Sequence, residues 1–253
     1  MEAKWWRKVA FDIVSAFEET VMPLFGSPEA GKLVGRGPSG DETKLVDRVA
    51  EDIILGYLGE LGVNVVTEET GVLNEGSDYT VIVDPLDGSY NFISGIPFFA
   101  VSMAVFEKEG PIYAFIYEPI VERFYEGIPG RGAYLNGRRI RVRKFDGKAS
   151  ISFYTRERGG ELIRRVKRTR TLGAIALELA YLASGRLDAV VDVRRYVRPT
   201  DVAAGIIIAR EAGALVRDAE GRELKISFSA TDRIDIVAVN SEELLKIILE
   251  ALR

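Results

Sequence analysis

Residues 81–92 read Val81-Ile82-Val83-Asp84-Pro85-Leu86-Asp87-Gly88-Ser89-Tyr90-Asn91-Phe92. The three β-branched residues at the start have the composition of a buried strand. Two carboxylates follow, Asp84 and Asp87, and an unpaired buried carboxylate is costly unless a cation compensates it. Pro85 fixes its own φ and biases Asp84 towards extended backbone, so the acids sit on a constrained segment. Gly88 and Ser89 are small enough for an anion to approach the main chain. Pro, Asp, Gly and Ser are also ordinary turn residues. On these twelve residues alone, a surface turn and a metal site stand level, and the rest of the chain has to decide.

The 253 residues suit one large domain or two lobes; 47% are hydrophobic and the net charge is -4, from 34 basic and 38 acidic residues. That balance gives no electrostatic case for nucleic acid as a partner. No apolar run reaches the ~20 residues that span a bilayer, and the start of the chain lacks a signal-peptide core, so a cytoplasmic protein is expected. Cys, His and Gln are all absent. Thiolate chemistry, zinc–thiolate sites and Ser-His-Asp catalysis are therefore excluded. Carboxylates, hydroxyls, Lys, Tyr and hard metal ions are left. Low Cys, Gln and Met with abundant Arg and Glu also fits a thermophile.

Outward from residue 81, apolar spacing predicts helices over 4–24 and 43–61, flanking a Gly- and Pro-rich loop at 26–40. Asp47 and Glu51 fall one turn apart on the second helix. A strand at 63–66 runs into Thr67-Glu68-Glu69-Thr70, a second strand with an acidic end. Further strands are read at 98–106 and 112–117, then short strands over 125–143 with a hairpin at Asn136-Gly137. A lobe boundary is placed at 146–147, dividing an α+β lobe (1–146) from an α/β lobe (147–253). The second lobe is read as strand 150–154, a basic helical segment at 161–167, helix 174–184, strand 187–191, helix 199–212, strands 214–217 and 234–239, and a final helix capped by Ser241. Asp201 enters the first turn of its helix, where an acid is favoured by the dipole alone.

Glu68-Glu69 after a strand, Asp84-Pro85-Leu86-Asp87-Gly88-Ser89 with Asn91-Phe92, and Asp201-Val202-Ala203-Ala204-Gly205 together resemble the inositol monophosphatase and fructose-1,6-bisphosphatase superfamily, most of all its archaeal dual-activity members. The resemblance implies an α/β fold, a layered α-β-α-β-α sandwich. It implies two or three magnesium ions, with manganese as the alternative, held by Glu68, Asp84, Asp87, Asp201 and the Leu86 carbonyl. It assigns the attacking water to Ser89 and Asp47 near Glu68, and the phosphate to the Gly88 and Ser89 amides. Asp87, Arg170, Ile175 and Arg194 would meet substrate, and Asp41 would lie on a mobile loop that closes with the third ion. Asp192 and Arg195 lie near the same region, and the basic run at Arg164, Arg165, Lys167, Arg168 and Arg170 reads as either a solvated helix face or a phosphate contact. The implied activity is hydrolysis of fructose 1,6-bisphosphate and inositol 1-phosphate by direct attack of water, in gluconeogenesis and carbohydrate metabolism, by a homodimer. Three alternatives are set beside it: a nucleotide 3'-phosphatase, a non-catalytic member of the fold, and a haloacid-dehalogenase-type phosphatase. The last uses a nucleophilic Asp two residues before its acid/base Asp, against a spacing of three here.

Overall fold

The computed structural model describes residues 2–108 and 110–253. Helix α1 (Ala3–Thr20) buries Trp6, Val9, Ala10, Ile13 and Phe17 along one face. It stops short of the predicted end because Pro23 cannot continue it, and Met22–Leu24 tighten into a 3-10 turn. The expected loop at 26–40 contains strand β1 (Leu33–Arg36), which pairs with β2 (Glu42–Lys44) as a separate two-stranded hairpin. Every β1 residue is exposed, so no alternation of polarity marks it as a strand. Helix α2 (Leu45–Gly59) then leads to β3 (Asn64–Thr67), β4 (Gly71–Leu73) and β5 (Tyr79–Asp87). The short helix α3 (Ser89–Ile93) is followed by β6 (Ala100–Glu107), β7 (Gly110–Glu118), β8 (Arg123–Ile128), β9 (Gly132–Leu135) and β10 (Arg138–Ile140). At the β9–β10 turn both Asn136 and Gly137 have positive φ, as the Asn-Gly signal demands.

Residues 146–147 lie between β10 and β11 (Ser150–Tyr154). The basic segment is only one helical turn, α4 (Leu162–Arg165), before it becomes the exposed edge strand β12 (Arg168–Arg170). The remaining elements are α5 (Ile175–Ala183), β13 (Ala189–Val197), α6 (Pro199–Glu211), β14 (Leu215–Arg217), β15 (Ile234–Val239) and α7 (Glu242–Leu252). Ser241 Oγ accepts from the Leu244 amide at 3.2 Å and caps α7.

Strands β10-β9-β8-β7-β6-β5-β3-β4 form an eight-stranded sheet, and β12-β11-β13-β15-β14 a five-stranded one. Helices α1 and α2 cover one face of the large sheet. Helices α5 and α6 fill the layer between the two sheets, touching the large sheet through Ala176, Ala180, Ala204 and Ile208 and the small one through Leu179, Val202 and Ile206. Helices α4 and α7 close the outer face. The order is α-β-α-β-α, and no helix among the described residues is long and apolar enough to cross a membrane. Small residues set the middle layer's thickness. A Cβ on Gly205 would lie 2.6 Å from Leu179 Cδ1, and one on Gly127 3.0 Å from the Ile208 Cα.

Candidate metal and phosphate centre

Strands β3 and β5 are parallel, with Val66 opposite Ile82. Continuing that register by two residues sets Glu68 beside Asp84 at the carboxyl ends of both strands, where open α/β sheets bind ligands. Along an ordinary strand, residues three apart face opposite sides. Here Asp84 pairs with Ser102 and Asp87 with Ala100, so β5 spends three residues where β6 spends two. This bulge at Pro85-Leu86 turns both carboxylates towards α5 and α6. The spacing of three, which in the sequence leaves a turn and a metal site level and sets the segment apart from a nucleophilic-aspartate phosphatase, is in the fold a device for keeping two acids on one face.

Glu68, Asp84 and Asp201 each offer a carboxylate oxygen within 4.8 Å of the others. Asp201 arrives from the first turn of α6, where its Oδ2 accepts from the Arg198 amide at 2.8 Å. Burial, then repulsion from Asp201, pushes the Glu68 carboxyl up to about 8. Asp84 is also held well above the carboxylate range, first by burial and then by Asp87, Asp201 and Glu68. Within this cavity of about 510 Å³ the compensating charge nearest to the three acids is the Arg198 guanidinium, paired to Glu68. A set of hard oxygen donors with too little positive charge fits a divalent cation of the magnesium class.

Asp87 has a different set of contacts. It lines the cavity, yet its carboxylate accepts from the amides of Ile175 (3.1 Å), Ala176 (2.8 Å) and Leu177 (3.3 Å), the first turn of α5. Burial raises its proton affinity strongly, repulsion from Asp201 adds to this, and the amides oppose it. Gly88 follows with φ +88°, and a Cβ there would meet Ala174 Cβ at 2.9 Å and the Phe98 carbonyl at 3.1 Å. Only glycine fits. Asn91 ties the same turn to the loop before α5 by donating to the Phe98 and Leu172 carbonyls, each at 2.7 Å.

Asp47 lines the cavity from α2, and its proton affinity is raised, chiefly by burial, against the opposing pull of Lys44 and a hydrogen bond from Ser89. One turn on, Glu51 is fully buried. It accepts from the Thr67 hydroxyl (2.7 Å) and from the Glu69 and Thr70 amides (3.2 and 3.1 Å), which fixes the turn carrying Glu68.

The other residues singled out in the sequence spread out around this centre. Asp41, Gly88 and Ser89 line the cavity, together with the Leu86 segment. Ile175 is present through its amide, which is committed to Asp87. Arg170 lies on the exposed edge strand β12 and donates to Ser150 Oγ at 2.5 Å, away from the cavity lining. Arg194 is folded onto the buried Asp192, with Nη2 2.5 Å from Oδ2, and lies over the Tyr154 ring at 4.4 Å. Between Asp192 and Val197 the β13–β15 register breaks, and this bulge delivers Tyr196 to the cavity wall.

Arg198 and Tyr196 do not stand out in the sequence as site residues. A signal for Arg198 is nevertheless there. It occupies the N-cap of α6, where Ser, Thr, Asp or Asn is the ordinary choice.

Behind Gly88, the buried Glu178 accepts from the Tyr154 hydroxyl at 2.5 Å and the Leu172 amide at 2.9 Å, while its Oε2 has no partner. Burial lifts this carboxyl to about 7. Because the folded value exceeds the ordinary 4.5, its stability contribution is complete below about pH 4.5 and is lost as pH rises through 7. Such a change in proton affinity corresponds to roughly 3 kcal/mol. Glu178→Gln is expected to flatten the fall in melting temperature between pH 5 and pH 8, measured by scanning calorimetry. Equal slopes in the two proteins would refute the burial argument.

Acids from two parallel strand ends and one helix start, set beside a glycine turn, define a class: layered α/β proteins with a carboxylate-built cation site. The chain belongs to the inositol monophosphatase family, whose model matches residues 3–253. It is 69% identical to a fructose-1,6-bisphosphatase of Pyrococcus furiosus, over 100% of both chains. It is 57% identical to a fructose-1,6-bisphosphatase/inositol-1-monophosphatase of Thermococcus kodakarensis, over 98% of this chain and 97% of that one. A solved Pyrococcus horikoshii protein, described as having similarities to inositol-1 monophosphatase, superposes with a TM-score of 0.96 at 62% identity, each chain covered in full.

Proposed function

We propose that this protein is a magnesium-dependent phosphomonoester hydrolase acting on fructose 1,6-bisphosphate and inositol 1-phosphate. The observation that carries the reading is the meeting of Glu68, Asp84 and Asp201 within 4.8 Å beside the Gly88-Ser89 turn. The names of the relatives supply the substrate class. Glu68, Asp84 and Asp201, with Asp87 and the Leu86 carbonyl, would hold the ions. When bound, magnesium supplies Lewis-acid charge for the phosphoryl oxygens.

The chain's own groups do the rest. The Gly88 and Ser89 amides would hold the phosphoryl group, on a turn kept in place by the close packing of Gly88 against Ala174 and the Phe98 carbonyl. The Ser89 hydroxyl and the Asp47 carboxylate orient a water molecule, and the raised proton affinity of Asp47 suits it to take up the proton. The water oxygen forms a bond to phosphorus, the ester P–O bond breaks, and the alcohol oxygen leaves with the bonding pair and takes a proton from solvent water. The Tyr196 rim, with Arg194 behind it, would face the distal part of a bisphosphate. Magnesium as the ion and a homodimer complete the reading on the resemblance of the sequence, and a cytosolic location on its lack of a long apolar run.

The test compares kcat/KM for fructose 1,6-bisphosphate, inositol 1-phosphate and a 3'-phosphorylated nucleotide under identical magnesium. The first two are expected to exceed the third. A preference for the nucleotide would move the substrate class, and a phosphoenzyme trapped on Asp84 would replace direct attack by a nucleophilic aspartate.

A further inference from the structure

The β1–β2 hairpin joins neither of the two large sheets, and a lone two-stranded hairpin is marginally stable in water. Its base is fastened by main-chain bonds from Leu45 to Lys32 (2.8 Å) and from Val46 to Ala30 (3.2 Å). Its tip lies against the turn after β3. A Cβ on Gly37 would come within 3.2 Å of the Glu68 carbonyl, and Pro38 packs on Gly71. Beyond these contacts the tip is held by charge. Asp41 Oδ2 accepts from Ser39 Oγ at 2.8 Å, from Arg233 Nη2 at 3.1 Å, and from Arg198 Nη2.

Both arginines belong to the far half of the chain. Arg198 is 5% exposed and pairs with Asp41 and Glu68 at once. Arg233 gives its other nitrogen to the Tyr196 carbonyl at 3.1 Å, which ties the latch to the β13 bulge. We propose that Arg198 and Arg233 are positioning residues that latch the hairpin tip over the carboxylate cavity and hold Asp41 there. Sharing between Asp41 and Glu68 gives the latch its link to the cavity.

Limited trypsin digestion of the whole chain reads the latch at the exposed Arg36–Gly37 bond, with the fragments identified by mass. Charge-assisted bonds of this kind set the population of the open tip, so Arg233→Ala is expected to speed cleavage there about tenfold. Asp41→Asn, which loosens the tip from both arginines, should speed it at least as much, and the double variant should go no further than Asp41→Asn. Arg233→Lys keeps the charge and should retain part of the protection. Cleavage unchanged in both single variants, or fully additive in the double, would overturn the latch. Digestion needs no substrate, so that failure would leave the phosphatase reading untouched.

Discussion

Asp84→Asn is expected to abolish turnover while making the metal-free protein melt at a higher temperature. Asn keeps the oxygen that accepts from the Leu86 amide at 3.0 Å, so the β5 bulge survives the change. What disappears is one buried charge among four acids that repel one another. The proposed cation site would lose one of its ligands, and an electrostatic loss of this kind costs roughly a thousandfold or more in rate. The gain in metal-free stability should be largest above the ordinary carboxylate range. There the folded protein must ionise Asp84 against its raised proton affinity, whereas the unfolded chain ionises it freely. An unchanged or lower melting temperature in a chelator would show that these carboxylates are not in electrostatic conflict.

Asp87→Ala is expected to move stability the other way. Asp87 is next to Asp84 in the fold and is also buried, but it satisfies three main-chain donors at the start of α5. Its removal leaves those amides buried without acceptors, at about 1–3 kcal/mol each, and relief of repulsion offsets only part of that. A net loss of about 3 kcal/mol, or roughly 6–12 °C for a chain of this size, should appear in thermal unfolding without metal. Helix α5 packs on α6, which carries Asp201, so activity should fall too. Asp87→Asn retains one acceptor and should lie between the native protein and Asp87→Ala. If Asp84→Asn and Asp87→Ala shifted the melting point in the same direction, the division of labour between the two acids would be wrong.

These two acids also show how far a sequence can be read. The strand and the acids that end it were legible because a strand buried on both faces leaves a continuous apolar run. The helices were legible because amphipathic segments leave a periodic one, and the layered sandwich through the family resemblance. Glu68 and Asp201 stood out through neighbouring residues that resemble a family. That Asp87 clasps the amides of α5 was not legible, since the contact joins residues 88 to 90 positions apart and the partner is main chain. Arg198 was missed for a similar reason: its ion pairs reach back to Glu68 and Asp41, and the one local sign is an arginine at an N-cap position. The hairpin at 33–44 escaped because all four residues of β1 are exposed and so leave no buried face to read. Arg170 and Arg194 entered as substrate contacts by position. In the fold Ser150 and Asp192 engage their guanidinium groups.

We propose that Glu68, Asp84 and Asp201 together form the cation site on which phosphate release depends. The most direct test is phosphate release from fructose 1,6-bisphosphate as magnesium is titrated into metal-free native protein and into Asp84→Asn. The native chain should be inactive at the start and rise to a saturating rate, while the variant stays near baseline at every concentration. Turnover by the native protein in excess chelator, or a variant that saturates to a comparable rate, would contradict the account.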